Sequence, residues 1–135
     1  MISQEEWTEA RNNCIEVWKY MAETGCTKNE AYSTLGLKSL GLAQCYACDI
    51  DYALSEPKSG GCTNCPMFRR WKNVDGDYND VCQSCNEEPN TVYDVWCRNP
   101  SRETAQAVLE NIIEDWPEEL VIKSDSIFVY TLERG

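Results

Sequence analysis

Six of the nine cysteines fall between residues 45 and 85 as three CxxC pairs: Cys45 with Cys48, Cys62 with Cys65, and Cys82 with Cys85. Two thiolates separated by two residues reach one ion from a single tight turn, so two such pairs complete the tetrahedral all-cysteine shell of structural zinc. Such a cross-link matters in a chain of 135 residues, which suits one domain with only a modest hydrophobic core. The segment 45–85 is therefore the expected metal-binding segment of a single domain, 1–135.

Thirteen residues lie between Cys48 and Cys62, close to the spacing of zinc ribbons and knuckles. Cys45, Cys48, Cys62 and Cys65 are accordingly the expected zinc ligands, and an iron–sulfur cluster is the alternative, because four thiolates serve both. Cys82 and Cys85 can replace either earlier pair, or join Cys26 or Cys97 at a second site, and spacing leaves these choices open. Cys14 falls on an apolar helix face and reads as core.

The same composition narrows the chemistry. There is no histidine, whereas catalytic zinc commonly uses one and keeps an open position. Zinc deaminases carry a PCxxC turn, but here Pro66 follows its pair. No phosphate-binding glycine loop or serine nucleophile motif occurs. Asp75, Asp77 and Asn79 mimic the start of a calcium loop, but Asp80 stands where Gly is needed and Asn86 where Glu is needed. A CxxC redox role needs an activated thiolate beside a helix start in an alternating strand–helix chain, and this chain reads as mainly helical. The expectation is a non-enzymatic protein, with thiol–disulfide exchange as the third-ranked reading.

Charge points the same way. The net charge is −11, and residues 73–97 hold six acidic and no basic side chains, a surface that repels the phosphate backbone. The exception is Phe68, Arg69, Arg70, Trp71 and Lys72, where cations alternate with aromatics as on single-strand binding surfaces. Nucleic-acid contact through Arg69, Arg70, Trp71 and Lys72 is the alternative function. In the other reading, Phe68 and Trp71 pack inward and the cations stay in water.

Helical periodicity is plain in two places. Trp7, Ala10, Cys14, Val17, Trp18 and Met21 form one face, with a Ser3/Glu6 capping box before them and Gly25 after, which predicts a helix over about 4–24. Ala105, Val108, Leu109, Ile112, Ile113 and Trp116 form another, entered by Asn99 and Pro100 and ended by Pro117, which predicts a helix over about 100–116. Thr27 with Glu30 and Gly36 predicts a short helix over 28–35. Residues 118–135 read as a small β-hairpin or a tail. The expected fold class is mainly α with a small zinc knuckle, an α+β chain with little β. The acidic N-terminus lacks a secretory pattern and no run is long enough to span a membrane, so cysteine-rich chemistry of this kind is expected in a reducing cytoplasm.

From Trp18 to Trp116 the features run in a fixed order: an amphipathic helix through Met21, Cys45 with Cys48, Cys62 with Cys65 and Pro66, Tyr93 with Trp96, and the helix Ala105 to Trp116. In this order the chain resembles a group of small uncharacterised proteins of tailed-bacteriophage genomes. That resemblance implies no reaction. It implies an acidic protein of the host cytoplasm that binds a host protein, in host takeover or in inhibiting a defence system. The acidic segments could then act as a nucleic-acid mimic on a basic groove.

Overall fold

Helix α1 (Gln4–Thr24) starts and stops on the residues that the sequence predicts. The Ser3 hydroxyl accepts the Glu6 N–H and the Glu6 carboxylate accepts the Ser3 N–H, both at 3.1 Å, so two otherwise unpaired donors are satisfied reciprocally. Gly25 closes the helix at φ 75°, a left-handed conformation that costs glycine little. The computed structural model describes residues 3–37, 46–47, 50, 65–67, 70–78, 90–120, 122–124 and 130–132, the last two stretches by backbone alone.

Helix α2 (Lys28–Leu35) repeats the device, with Thr27 and Glu30 at its start and Gly36 at φ 70° at its end. Leu37 N–H returns to the Tyr32 carbonyl at 2.9 Å, which satisfies the last turn. Helix α3 (Val92–Arg98) has no counterpart among the helices predicted from the sequence. Thr91 caps it by accepting the Asp94 N–H, and Asp94 pairs with Arg98 one turn on at 2.8 Å. Two valines and two aromatics in seven residues disguise it, since these lower helix propensity while packing supplies the stability.

Helix α4 (Arg102–Asp115) starts two residues later than expected. Asn99 closes α3, and Ser101 with Thr104 forms the capping box of α4. Pro100 separates the two helices. Trp116 ends α4, one residue before Pro117.

α1 and α4 pack along each other, α3 lies against α4, and α2 lies against α1. The seam between α1 and α4 buries Trp7, Cys14, Val17, Trp18 and Met21 against Ala105, Val108, Leu109, Ile112 and Trp116. Trp7 and Trp116 meet edge-on with ring centres 5.9 Å apart. Ile113, placed by periodicity on the apolar stripe, is 49% exposed.

α1 also directs the chain leaving α4. Arg11 Nε donates to Trp116 O and its Nη2 to Ile113 O, placing a cation on the negative end of the helix dipole. Trp7 Nε1 donates to Pro117 O, and the Gln4 amide donates to Glu118 O while accepting Leu120 N–H. Farther on, β1 (Ile122–Ser124) and β2 (Tyr130–Leu132) pair antiparallel, with Lys123 opposite Thr131. Residues 125–129, which would form the turn of the expected hairpin, lie outside the described residues. The described architecture is mainly helical, and no helix of it is long and apolar enough to cross a membrane.

Candidate metal centre

Of the four expected zinc ligands, Cys65 is described; Cys45, Cys48 and Cys62 lie outside the described residues, as do Cys82 and Cys85. Among the described residues no group of three or more histidine, cysteine or acidic side chains could hold a metal ion. Cys65 is half-buried and its Sγ accepts the Met67 N–H at 3.4 Å, while Pro66 and Met67 are buried.

Tyr46 and Ala47 are the two residues between Cys45 and Cys48, and both are buried. They line one small cavity with Met67, Cys14, Ile112 and Trp116. The interior of the first CxxC pair and the residue two beyond the second thus pack against the same part of the α1–α4 seam. The Tyr32 and Tyr46 rings stack at 5.7 Å, which ties α2 to this region as well.

The alternative ligands stand apart from any such cluster among the described residues. Cys26 is half-buried between α1 and α2. Cys97 is exposed on the last turn of α3, yet its thiol is shielded enough that burial raises its pKa, with Asp94 adding to the rise and Lys28 opposing it. Neither carries a disulfide. Cys14 is buried in the core.

The described residues of the basic patch, Arg70, Trp71 and Lys72, are engaged within the fold. Trp71 is buried against Tyr93, with ring centres 5.4 Å apart, so neither of its faces is open for a base to stack on. Arg70 Nη1 donates to Asp115 O, and Lys72 Nζ lies 2.7 Å from Glu114 and 3.8 Å from Asp115. Arg69 and Phe68 lie outside the described residues. The acidic turn is equally committed: Asp77 N–H is accepted by Asp75 Oδ1, Gly76 sits at φ 92°, and both aspartates are exposed.

Sequence reasoning missed the polar clasp that holds this stretch. Asn111 and Asp115 are buried on α4, one turn apart. Asn111 Oδ1 accepts Lys72 N–H at 2.8 Å, and its Nδ2 donates to Arg70 O and Asp115 Oδ2. Asp115 Oδ1 accepts the Tyr78 hydroxyl at 2.6 Å. Donation of its hydroxyl to the Asp115 carboxylate is the chief cause that raises the pKa of Tyr78, and the bond to Glu114 is the chief cause that raises that of Lys72. A polar pair at an i, i+4 spacing beside an apolar stripe was the available signal.

A second feature without a sequence forecast is an aromatic box around Lys28. Its Nζ lies 4.9 Å from the ring centre of Tyr93 and 5.5 Å from those of Trp18 and Trp96, and it donates to the Tyr93 hydroxyl.

Compared with protein-family models, with curated proteins and with solved structures, the chain matches none.

Proposed function

We propose that this is a non-enzymatic zinc-binding protein whose shell is Cys45, Cys48, Cys62 and Cys65, and that it acts by binding another protein. The observation that carries the metal reading is the Cys65 site: a half-buried Sγ accepting the Met67 N–H, with Met67 in one cavity wall with Tyr46 and Ala47. Tyr46 and Ala47, inside the first CxxC pair, and Met67, two residues beyond the second, line one cavity, which supports the reading that the two pairs share an ion. Four thiolates also suit an iron–sulfur cluster, so the metal is identified by elemental analysis of purified protein. The expected result is close to one zinc per chain, and protein that folds with neither zinc nor iron defeats the reading.

The protein-partner part rests on charge. A net charge of −11 steers association toward basic surfaces, and Arg70 and Lys72 are already paired within the fold. The resemblance to small phage proteins extends this proposal to a host protein, in takeover or in blocking a defence system, with the acidic surface mimicking nucleic acid. Recovery of a partner from bacterial lysate that survives nuclease treatment supports this reading. Recovery abolished by nuclease would favour the nucleic-acid alternative through Arg69.

A further inference from the structure

We infer that Asp75 is a self-modification site, where the chain isomerises to isoaspartate through a succinimide, and that the turn from Asn73 to Asp77 holds this reaction off in the folded protein. The inference stands on that turn and is independent of the metal reading.

Asp75 is the one aspartate of the chain that is followed by glycine, and no asparagine precedes a glycine. The chemistry needs only water. The Gly76 nitrogen attacks Cγ of the protonated Asp75 carboxyl, a C–N bond forms, and water leaves with the carboxyl hydroxyl and the amide proton. Water then adds to the succinimide at the main-chain carbonyl of Asp75, and the original C–N bond breaks. The chain afterwards runs through Cβ and Cγ, and the former main-chain carbonyl is a free carboxylate. Glycine suits this step because no Cβ crowds the approach of its nitrogen. Asp75 and Gly76 are both exposed, and no atom among the described residues stands within 4 Å of where a Gly76 Cβ would be, so the site is open to water.

The fold holds both reacting groups elsewhere. The Gly76 N–H donates to Asn73 O at 2.9 Å, and Asp75 Oδ1 accepts the Asp77 N–H at 3.1 Å. Asn73 N–H donates to Asp77 O at 2.7 Å and closes the turn. The nitrogen and the carboxyl must leave these partners to meet, so the reaction belongs to the open turn and its rate follows the open population. Backbone pairing of Lys72 with Tyr78, and the Tyr78 hydroxyl on Asp115, tie the turn to α4 and set that population. Isomerisation adds one carbon to the main chain between Lys72 and Tyr78, which changes the register in which the clasp receives them.

The test is isoaspartate analysis of full-length protein held at neutral pH, folded and in guanidinium chloride, by enzymatic methylation of isoaspartyl carboxylates and peptide mapping. In the unfolded chain, isoaspartate is expected at Asp75 ahead of every other aspartate. In the folded protein, its formation there is expected to be at least about tenfold slower. Tyr78→Phe removes the bond to Asp115 and should speed formation in the folded protein about two- to tenfold, the rise in open population that loss of one hydrogen bond brings. An unfolded chain without isoaspartate at Asp75, a folded protein as fast as the unfolded chain, or a folded Tyr78→Phe no faster than wild type overturns the inference. Should Tyr78→Phe fail to fold, the folded and unfolded wild-type rates decide alone. Metal content, measured separately, can fail without touching this result.

Discussion

The two faces of α4 hold their neighbours by different means. Toward α1 it presents Val108, Leu109 and Ile112, and the buried contact is apolar, with Arg11 bonding only the last carbonyls of the helix. Toward residues 70–78 it presents Asn111, Glu114 and Asp115, and the contact is a set of directed bonds. Each fully buried aliphatic side chain contributes roughly 1.5–3 kcal/mol, whereas a hydrogen bond nets about 0.5–1.5 kcal/mol. The apolar face therefore supplies most of the stability. The polar face supplies position, because Asn111 bonded to both Lys72 N–H and Arg70 O admits one register of the chain that follows Cys65 and no other.

The largest effect should come from the apolar seam. Trp7→Ala removes a fully buried ring along with its bond to Pro117, and is expected to cost about 3–5 kcal/mol in urea unfolding. A cost below that of a surface substitution would show that the seam is not the centre of the fold.

Next comes Asp115→Ala on the polar face. It strands the Tyr78 hydroxyl and one Asn111 N–H, and about 1–3 kcal/mol is expected. Because the clasp positions more than it stabilises, the sharper readout is Trp71 fluorescence, which should shift while the far-ultraviolet circular dichroism of α1 and α4 holds. A double-mutant cycle with Tyr78→Phe should give a coupling of about 0.5–3 kcal/mol; additivity would mean that the two side chains act independently.

Metal removal separates the regions by content instead of by energy. Chelation, or Cys65→Ser, is expected to lower bound zinc while most of the helical signal persists, because α1 and α4 build their seam from their own side chains. Global unfolding on chelation would show that the seam depends on the metal.

A smaller effect is expected at high pH. Tyr78 and Lys72 both have pKa values raised by their partners, so the protonated forms are favoured in the folded state. The clasp's contribution is then full below the ordinary values of 10.0 for tyrosine and 10.5 for lysine and is lost as pH rises through the raised ones. Tyrosinate absorbance should show a late-titrating phenol component that is lost in Tyr78→Phe. The smallest effect belongs to Val74→Ser, at a side chain 62% exposed, which should stay within about 0.5 kcal/mol of wild type.

Local signals explain which parts were legible in the sequence. Ser3 with Glu6, Thr27 with Glu30, and Gly25 and Gly36 act within one turn of themselves, so they could be read without knowing the fold. α3 could not be read this way, since its β-branched and aromatic residues become helical by packing Tyr93 and Trp96 on Trp18. Asn99 and Pro100 look like a helix start but finish α3, because Ser101 offers the better cap two residues later. In the candidate site, the cysteine spacing was visible from the start. The commitment of Lys72 and Arg70 to α4 was not, because their partners lie about forty residues away in sequence and no local pattern encodes such a pairing.

The box around Lys28 bears on the order in which this protein comes apart. α2 has eight residues, fewer than an isolated helix needs to persist in water, so it survives by its attachments, the Lys28 ammonium on three rings and the Tyr32–Tyr46 stack. Cooperative units with few anchors open at lower free energy than the whole. Amide exchange in α2 should therefore precede exchange in α1 and α4, and Lys28→Met, which keeps the length and removes the charge, should quicken it there alone. If so, one cation sets how often the helix that leads toward Cys45 lets go of the core.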